Sequence, residues 1–200
     1  MQNADIDSLF VDIVVDSLSI DASKVTADAT LDGLGAESLD IVEISMEAES
    51  KFNVWLPDKS ILDTAIDVVG RSALLEGQLL SDYGKDLLRA RLPRDQWALL
   101  EGDVAASGLQ SYFMRVDTWV GMITELREHT PRSCAECDGA ELADRPGFVL
   151  VCDSCGHEMQ LRSGEEINRG WVEEFVAKNP PRTPENRAIA AVAGGSPVAG

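Results

Sequence analysis

Two groups of residues in this chain have the types and spacing that chemistry needs. The first is Gly35-Ala36-Glu37-Ser38-Leu39-Asp40, where glycine-containing coil gives way to an acidic, amphipathic helix at a serine hydroxyl. Backbone N–H groups at a helix N-terminus are unpaired and the dipole end is positive, so a phosphate is well placed there. Ser38 can therefore carry a phosphodiester-linked group without burying its charge; the plainer role is an N-cap, which serines often fill. The second group is Cys134-Ala135-Glu136-Cys137 and Cys152-Asp153-Ser154-Cys155, two Cys-x-x-Cys pairs fourteen residues apart. Each pair presents two thiolates from one tight turn, and two such knuckles fill a tetrahedral Zn²⁺ site. A site closed by four protein ligands is of the structural kind and keeps no position for water or substrate. Gly156 suits the turn of the second knuckle, and residues 147–151 read as a strand leading into it. Two disulfides or a redox pair are the alternatives, less suited to a chain that reads as cytoplasmic. His129 and His157 lie close by, but four cysteines leave neither needed as a ligand.

A helix is expected to position Ser38, and helical segments are expected on either side of the cysteine pairs. Ile6, Leu9, Phe10, Ile13 and Leu18 recur at helical spacing and predict a helix over 4–18, followed by a long loop from Ser19 to Gly35. The spacing predicts a second helix over 38–51 and another over 64–76, ended by Gly77. On the second, Asp40, Glu43, Glu47 and Glu49 spread over the solvent side while Val42 and Ile44 lean inward. Residues 78–130 look helical without a recognisable motif, with one amphipathic stretch from Leu79 to Leu88 and another from Tyr112 to Leu126. Ser163-Gly164-Glu165-Glu166 is a capping box that opens a last helix, and Asn179-Pro180-Pro181 stops it.

The string around Ser38 resembles the acyl carrier proteins, the phosphopantetheine-attachment family. That family's pattern is Leu-Gly-Ala-Asp-Ser-Leu-Asp, followed at a fixed distance by phenylalanine, a short apolar stretch and Pro-Asp. Leu34-Gly35-Ala36-Glu37-Ser38-Leu39-Asp40 matches it in six of seven positions, with Phe52 and Pro57-Asp58 in register. Glu37 stands where the family has aspartate, and Thr64-Ala65-Ile66-Asp67 replaces the family's Thr-Val-Gly-Asp before the last helix. The resemblance covers about residues 1–75. It implies that Ser38 is the attachment serine for 4′-phosphopantetheine, added by a phosphopantetheinyl transferase from coenzyme A with Mg²⁺. It also implies docking of acyl-transferring or condensing enzymes through basic patches. Asp40, Glu43 and Glu49 match positions used for that, Leu39 and Met46 match apolar positions beside them, and Glu47 extends the acidic run. The cysteine pairs resemble the zinc-ribbon class.

Charge narrows the partners. The chain carries a net −18, and residues 1–77 hold 16 acids against 4 bases. Such a field repels nucleic acid and attracts basic protein surfaces. No signal segment and no apolar run long enough for a membrane is present, which reads as soluble and cytoplasmic. No serine-nucleophile elbow, phosphate loop or metalloprotease motif occurs, so an enzyme is not expected. The expected fold is mainly α with a small β zinc ribbon. It comprises a four-helix carrier bundle over 1–77, a helical segment over 78–130, a ribbon and helix over 131–178, and a disordered tail over 179–200. The expected function is an acyl carrier holding thioester intermediates on an arm at Ser38. The competing expectation is a zinc-ribbon interaction module whose carrier-like domain is never modified.

Overall fold

The structure is a computed structural model, and it describes residues 3–181; most of the tail expected to be disordered, 182–200, lies outside the described residues. In chain order the elements are α1 (Asn3–Leu18), α2 (Ser38–Phe52), α3 (Ile61–Val69), α4 (Arg71–Leu74), β1 (Leu75–Glu76), β2 (Leu79–Leu80) and α5 (Asp82–Arg91). There follow α6 (Gln110–Phe113), α7 (Val116–Glu128), β3 (Leu142–Arg145), β4 (Val149–Cys152), β5 (Glu158–Gln160) and α8 (Gly164–Lys178). These elements fall into two compact units that interleave in sequence. The first contains residues through Asp58 together with Leu109–Ile167, and the second contains Lys59–Gly108 and the chain from Asn168 onward.

The core of the first unit is built by α1, α2 and α7. Ile6, Phe10, Ile13 and Val14 form the buried stripe of α1, and Ile44, Ala48 and Phe52 form that of α2. Val116, Trp119, Val120, Ile123 and Leu126 repeat at helical spacing along α7 and are all buried in the same cluster. The ring of Trp119 stacks on Phe10 with centroids 5.7 Å apart. Each such side chain contributes about 1.5–3 kcal/mol by leaving water, so α7 supplies a large share of this core. The four-helix bundle expected within 1–77 is therefore corrected. The third helix of this core comes from residues 116–128, and the chain past Asp58 belongs to the second unit.

The expected helix over 64–76 is likewise revised. Ser60 caps α3 by accepting the Asp63 N–H at 3.1 Å, and the helix ends at Gly70, which holds φ 84°. The short α4 and the antiparallel β1–β2 hairpin then take the chain to α5, which Ser81 caps through the Gly84 N–H at 3.0 Å. Leu79 and Leu80 thus lie in a strand and not in the amphipathic helix expected there. The expected middle segment 78–130 is divided between the two units, and so is 131–178, along α8. In the second unit Tyr83 packs on Phe175 and donates its hydroxyl to the Asn179 carbonyl at 2.7 Å. The capping box at the start of α8 is present, with Ser163 N–H donating to Glu166 Oε2 at 2.9 Å and Glu166 N–H to Ser163 Oγ at 3.2 Å. Among the described residues no helix is long and apolar enough to cross a membrane.

Candidate functional site

Ser38 is the first residue of α2, and Glu37 occupies the cap position with extended backbone at φ −91°, ψ 172°. Asp40 closes the turn by reaching back to accept the Glu37 N–H at 2.7 Å. Ser38 is thus not the N-cap. Its side chain is exposed, and among the described residues its hydroxyl enters no hydrogen bond. The loop before it is tightly bonded: Leu34 N–H donates to the Thr30 carbonyl at 2.9 Å, Gly35 N–H to Asp32 at 3.0 Å and Ala36 N–H to Leu31 at 2.9 Å. Gly35 sits at φ 98°, where an L side chain is strained, so the glycine of the motif is a backbone requirement.

The exposed side of α2 is more apolar than the charge pattern suggests. Leu39, Val42 and Met46 are 78%, 52% and 64% exposed, a continuous apolar line at spacings of three and four from the residue after Ser38. Val42 was expected to lean inward and does not; Ile44 does. Glu43 and Glu47 are exposed and Asp40 is half-buried. Glu49 stands apart from them. It is half-buried and accepts the Leu56 N–H at 3.0 Å, and burial raises its carboxyl above the usual range against the lowering effect of that bond.

The four cysteines come together as expected. All four Sγ atoms lie within 4.8 Å of one another, with Cys134–Cys155 at 3.7 Å and Cys137–Cys152 at 3.6 Å. A disulfide would require about 2.05 Å, whereas zinc–sulfur bonds of about 2.3 Å put the edge of a tetrahedron near 3.8 Å. The two knuckles repeat one another. In each, the residue after the second cysteine has positive φ (Asp138 at 56°, Gly156 at 73°). Its N–H returns to the carbonyl of the first cysteine, at 3.0 Å from Asp138 to Cys134 and 2.8 Å from Gly156 to Cys152. The first cysteine's N–H in turn donates to the carbonyl beyond, Gly139 at 2.8 Å or His157 at 2.9 Å. A Cβ on Gly139 would sit 3.2 Å from the sulfurs of Cys137 and Cys152, so backbone closely walls the cluster.

Electrostatics agree with a cation's place. Cys152 is lowered to about 7, first by the backbone N–H of Cys155. Cys137 feels the lowering N–H of Gly139 but is pushed up to about 12 by the thiols of Cys155 and Cys152 around it. One thiolate forms readily and the next is opposed, an imbalance that a bound dication reverses. The donor set therefore fits Zn²⁺. Neither His129 nor His157 joins the cluster.

The three-stranded antiparallel sheet β3–β4–β5 carries the second knuckle. The strand expected over 147–151 starts two residues later, because Gly147 and Phe148 form the β3–β4 turn with φ 85° and 60°. That turn reaches the segment after α2: the Phe148 ring stacks on Trp55 at 5.2 Å, and Asn53 Nδ2 donates to Asp144 at 2.6 Å. Gly164 N–H donates to the Trp55 carbonyl at 2.7 Å, and Arg127 to the Phe52 carbonyl at 3.0 Å. The ribbon is thus part of the first unit and not a module of its own. Neither the Trp55–Phe148 pair nor Asp138 in the first knuckle was foreseen. The Asp-Gly that follows Cys137 was the available signal, since aspartate tolerates the left-handed region.

Residues 8–68 match the family model of the phosphopantetheine attachment site. The match spans Ser38 and continues past Asp58 into α3. It supports a phosphopantetheine-carrying carrier protein, and it implies a 4′-phosphopantetheine prosthetic group. Carrier domains of this family work with a phosphopantetheinyl transferase and biosynthetic enzymes, and are generally non-catalytic. No solved structure matches the chain.

Proposed function

We propose that this protein is a carrier whose arm is attached at Ser38 and that it ferries acyl or related thioester intermediates between partner enzymes without catalysing a step itself. The observation that carries the reading is the state of Ser38. It is exposed at the first position of α2, with the capping duty taken by Glu37 and Asp40, so its hydroxyl is free to react. In loading, Ser38 Oγ bonds to the phosphorus of coenzyme A's pantetheine phosphate. Adenosine 3′,5′-bisphosphate leaves, and the hydroxyl proton passes to a base on the transferase with Mg²⁺ present. Once attached, the arm supplies a terminal thiol on which cargo rides as a thioester. Leu39, Val42 and Met46 offer partners an apolar strip, and Asp40, Glu43 and Glu47 steer basic surfaces toward it. Glu49 belongs to the scaffold that holds α2 to Leu56.

The same reading makes Cys134, Cys137, Cys152 and Cys155 a structural Zn²⁺ site that stiffens the ribbon against the segment 53–57. Intact-mass measurement after incubation with coenzyme A and a broad-specificity transferase tests the attachment. Wild type should gain one arm and Ser38→Ala none. Labelling of Ser38→Ala would sink the assignment to Ser38, and none of wild type with several transferases would leave an unmodified zinc-ribbon protein.

A further inference from the structure

The loop that delivers the chain to Ser38 is held by a segment far away in sequence. Leu31 N–H donates to the Met114 carbonyl at 2.9 Å, Val116 N–H to Ala29 at 2.9 Å and Asp117 N–H to Ala27 at 2.9 Å. These bonds bracket an antiparallel bridge between Thr30 and Arg115. Leu31 is fully buried, and its carbonyl takes the Ala36 N–H at 2.9 Å, two residues before Ser38. Arg115 Nε donates to Asp117 Oδ1 at 2.9 Å, and Asp28 lies within its electrostatic reach. The register set at 114–117 is thereby carried through Leu31 to the first turn of α2. On one side of these contacts, Met114, Arg115, Val116 and Asp117 lie outside the matched residues 8–68.

We propose that residues 114–117 are a positioning element for the loading of Ser38. The inference rests on the reading of Ser38 as the attachment serine. Transfer to a hydroxyl requires that its oxygen be held in line with the phosphorus, and displacement by about 1 Å can cost 100-fold. Nothing else among the described backbone hydrogen bonds ties Leu31 N–H or the Ala29 carbonyl, so this segment anchors the loop at the end opposite the Glu37–Asp40 cap.

The test uses the full chain and one backbone bond. Val116 is the first residue of α7, where proline is tolerated, and Arg115 before it is extended at φ −73°, ψ 144°, as a residue preceding proline must be. Val116→Pro therefore deletes the N–H to Ala29 with little local strain, and Val116→Ala controls for the lost side chain. Val116→Pro should load with about tenfold lower kcat/KM for the chain, an unchanged KM for coenzyme A, and faster amide exchange at Leu31 and Ala36. Val116→Ala should stay within about twofold of wild type. Arg115→Ala should fall about threefold, with Arg115→Lys recovering only part of the loss, because its charge stays near Asp117 and Asp28 but the paired bonds to Asp117 do not. Wild-type loading of Val116→Pro and Arg115→Ala, with Leu31 exchanging faster, would overturn the proposal. Should Val116→Pro lack native circular dichroism, the Arg115 pair decides alone. Should wild type take no arm at all, the attachment reading fails on its own. Amide exchange then decides the present point: faster exchange at Leu31 in Val116→Pro upholds the segment's hold on the loop, and unchanged exchange refutes it.

Discussion

Met46 is 64% exposed and has little burial to lose, so Met46→Glu should leave stability within about 0.5 kcal/mol of wild type. If the apolar strip meets partners, the same change should lower transferase kcat/KM about tenfold, since a carboxylate is then placed against a dry contact. Equal kinetics would make the strip mere surface. Glu49 gives a prediction in pH. Burial raises its carboxyl, so the folded state favours the protonated acid. The stability this contributes is present below the ordinary carboxylate range and is lost as pH rises through the folded value. Wild type should therefore gain Tm relative to Glu49→Gln as pH falls from about 7 to about 4, by a small amount because the group is only partly buried. Parallel curves would show that the carboxyl is solvated. At this scale the sequence was informative wherever covalent type decides, as at Ser38 and the four cysteines. It was silent where packing decides. Val42 looks like a core residue by type, and only the turn of α2 that carries it outward tells otherwise.

Among the elements, the ribbon and the first turn of α8 close on the segment 53–57. A Cβ on Gly164 would lie 2.5 Å from Pro57 Cδ and 3.1 Å from the Trp55 carbonyl. Gly164→Ala gains up to about 1 kcal/mol of helix propensity, but overpacking costs about 1–3 kcal/mol, and the second effect should win. A urea midpoint below that of wild type is expected, and a rise would mean that Pro57 yields. Metal analysis should find one zinc per chain, and chelation under reducing conditions should loosen the ribbon first. A loss of about 3 kcal/mol, a modest part of what structural zinc supplies, corresponds to a Tm fall of about 6–12 °C. Loading of Ser38 at low temperature should survive, because the α1–α2–α7 core contains none of the cysteines. Intact folded protein with two disulfides and no metal would refute the site. The ribbon was readable because Cys-x-x-Cys spacing dictates local geometry. Its attachment was not, since the stacking of Phe148 on Trp55 joins residues that no periodicity relates.

For the whole molecule, residues 1–77 alone lack the helix whose Val116, Trp119, Val120, Ile123 and Leu126 close the first core. That fragment should show no cooperative thermal transition by circular dichroism, whereas the full chain should show one; a sharp transition in the fragment would mean that α7 is dispensable. The match to a carrier pattern made α1 and α2 legible. The choice between α3 and α7 as their partner was not, because both are amphipathic helices and only long-range packing separates them. This interleaving has a consequence for the making of the protein. Ser38 leaves the ribosome early, yet the α7 that completes its surroundings ends at Glu128. The 90 residues from 39 to 128 follow it, and synthesis at about 5–20 residues per second leaves roughly 5–18 s in which the serine is present but not yet framed. Nascent chains of this protein should thus be poor recipients of the arm until α7 has emerged, and attachment becomes a mark that synthesis has passed Glu128.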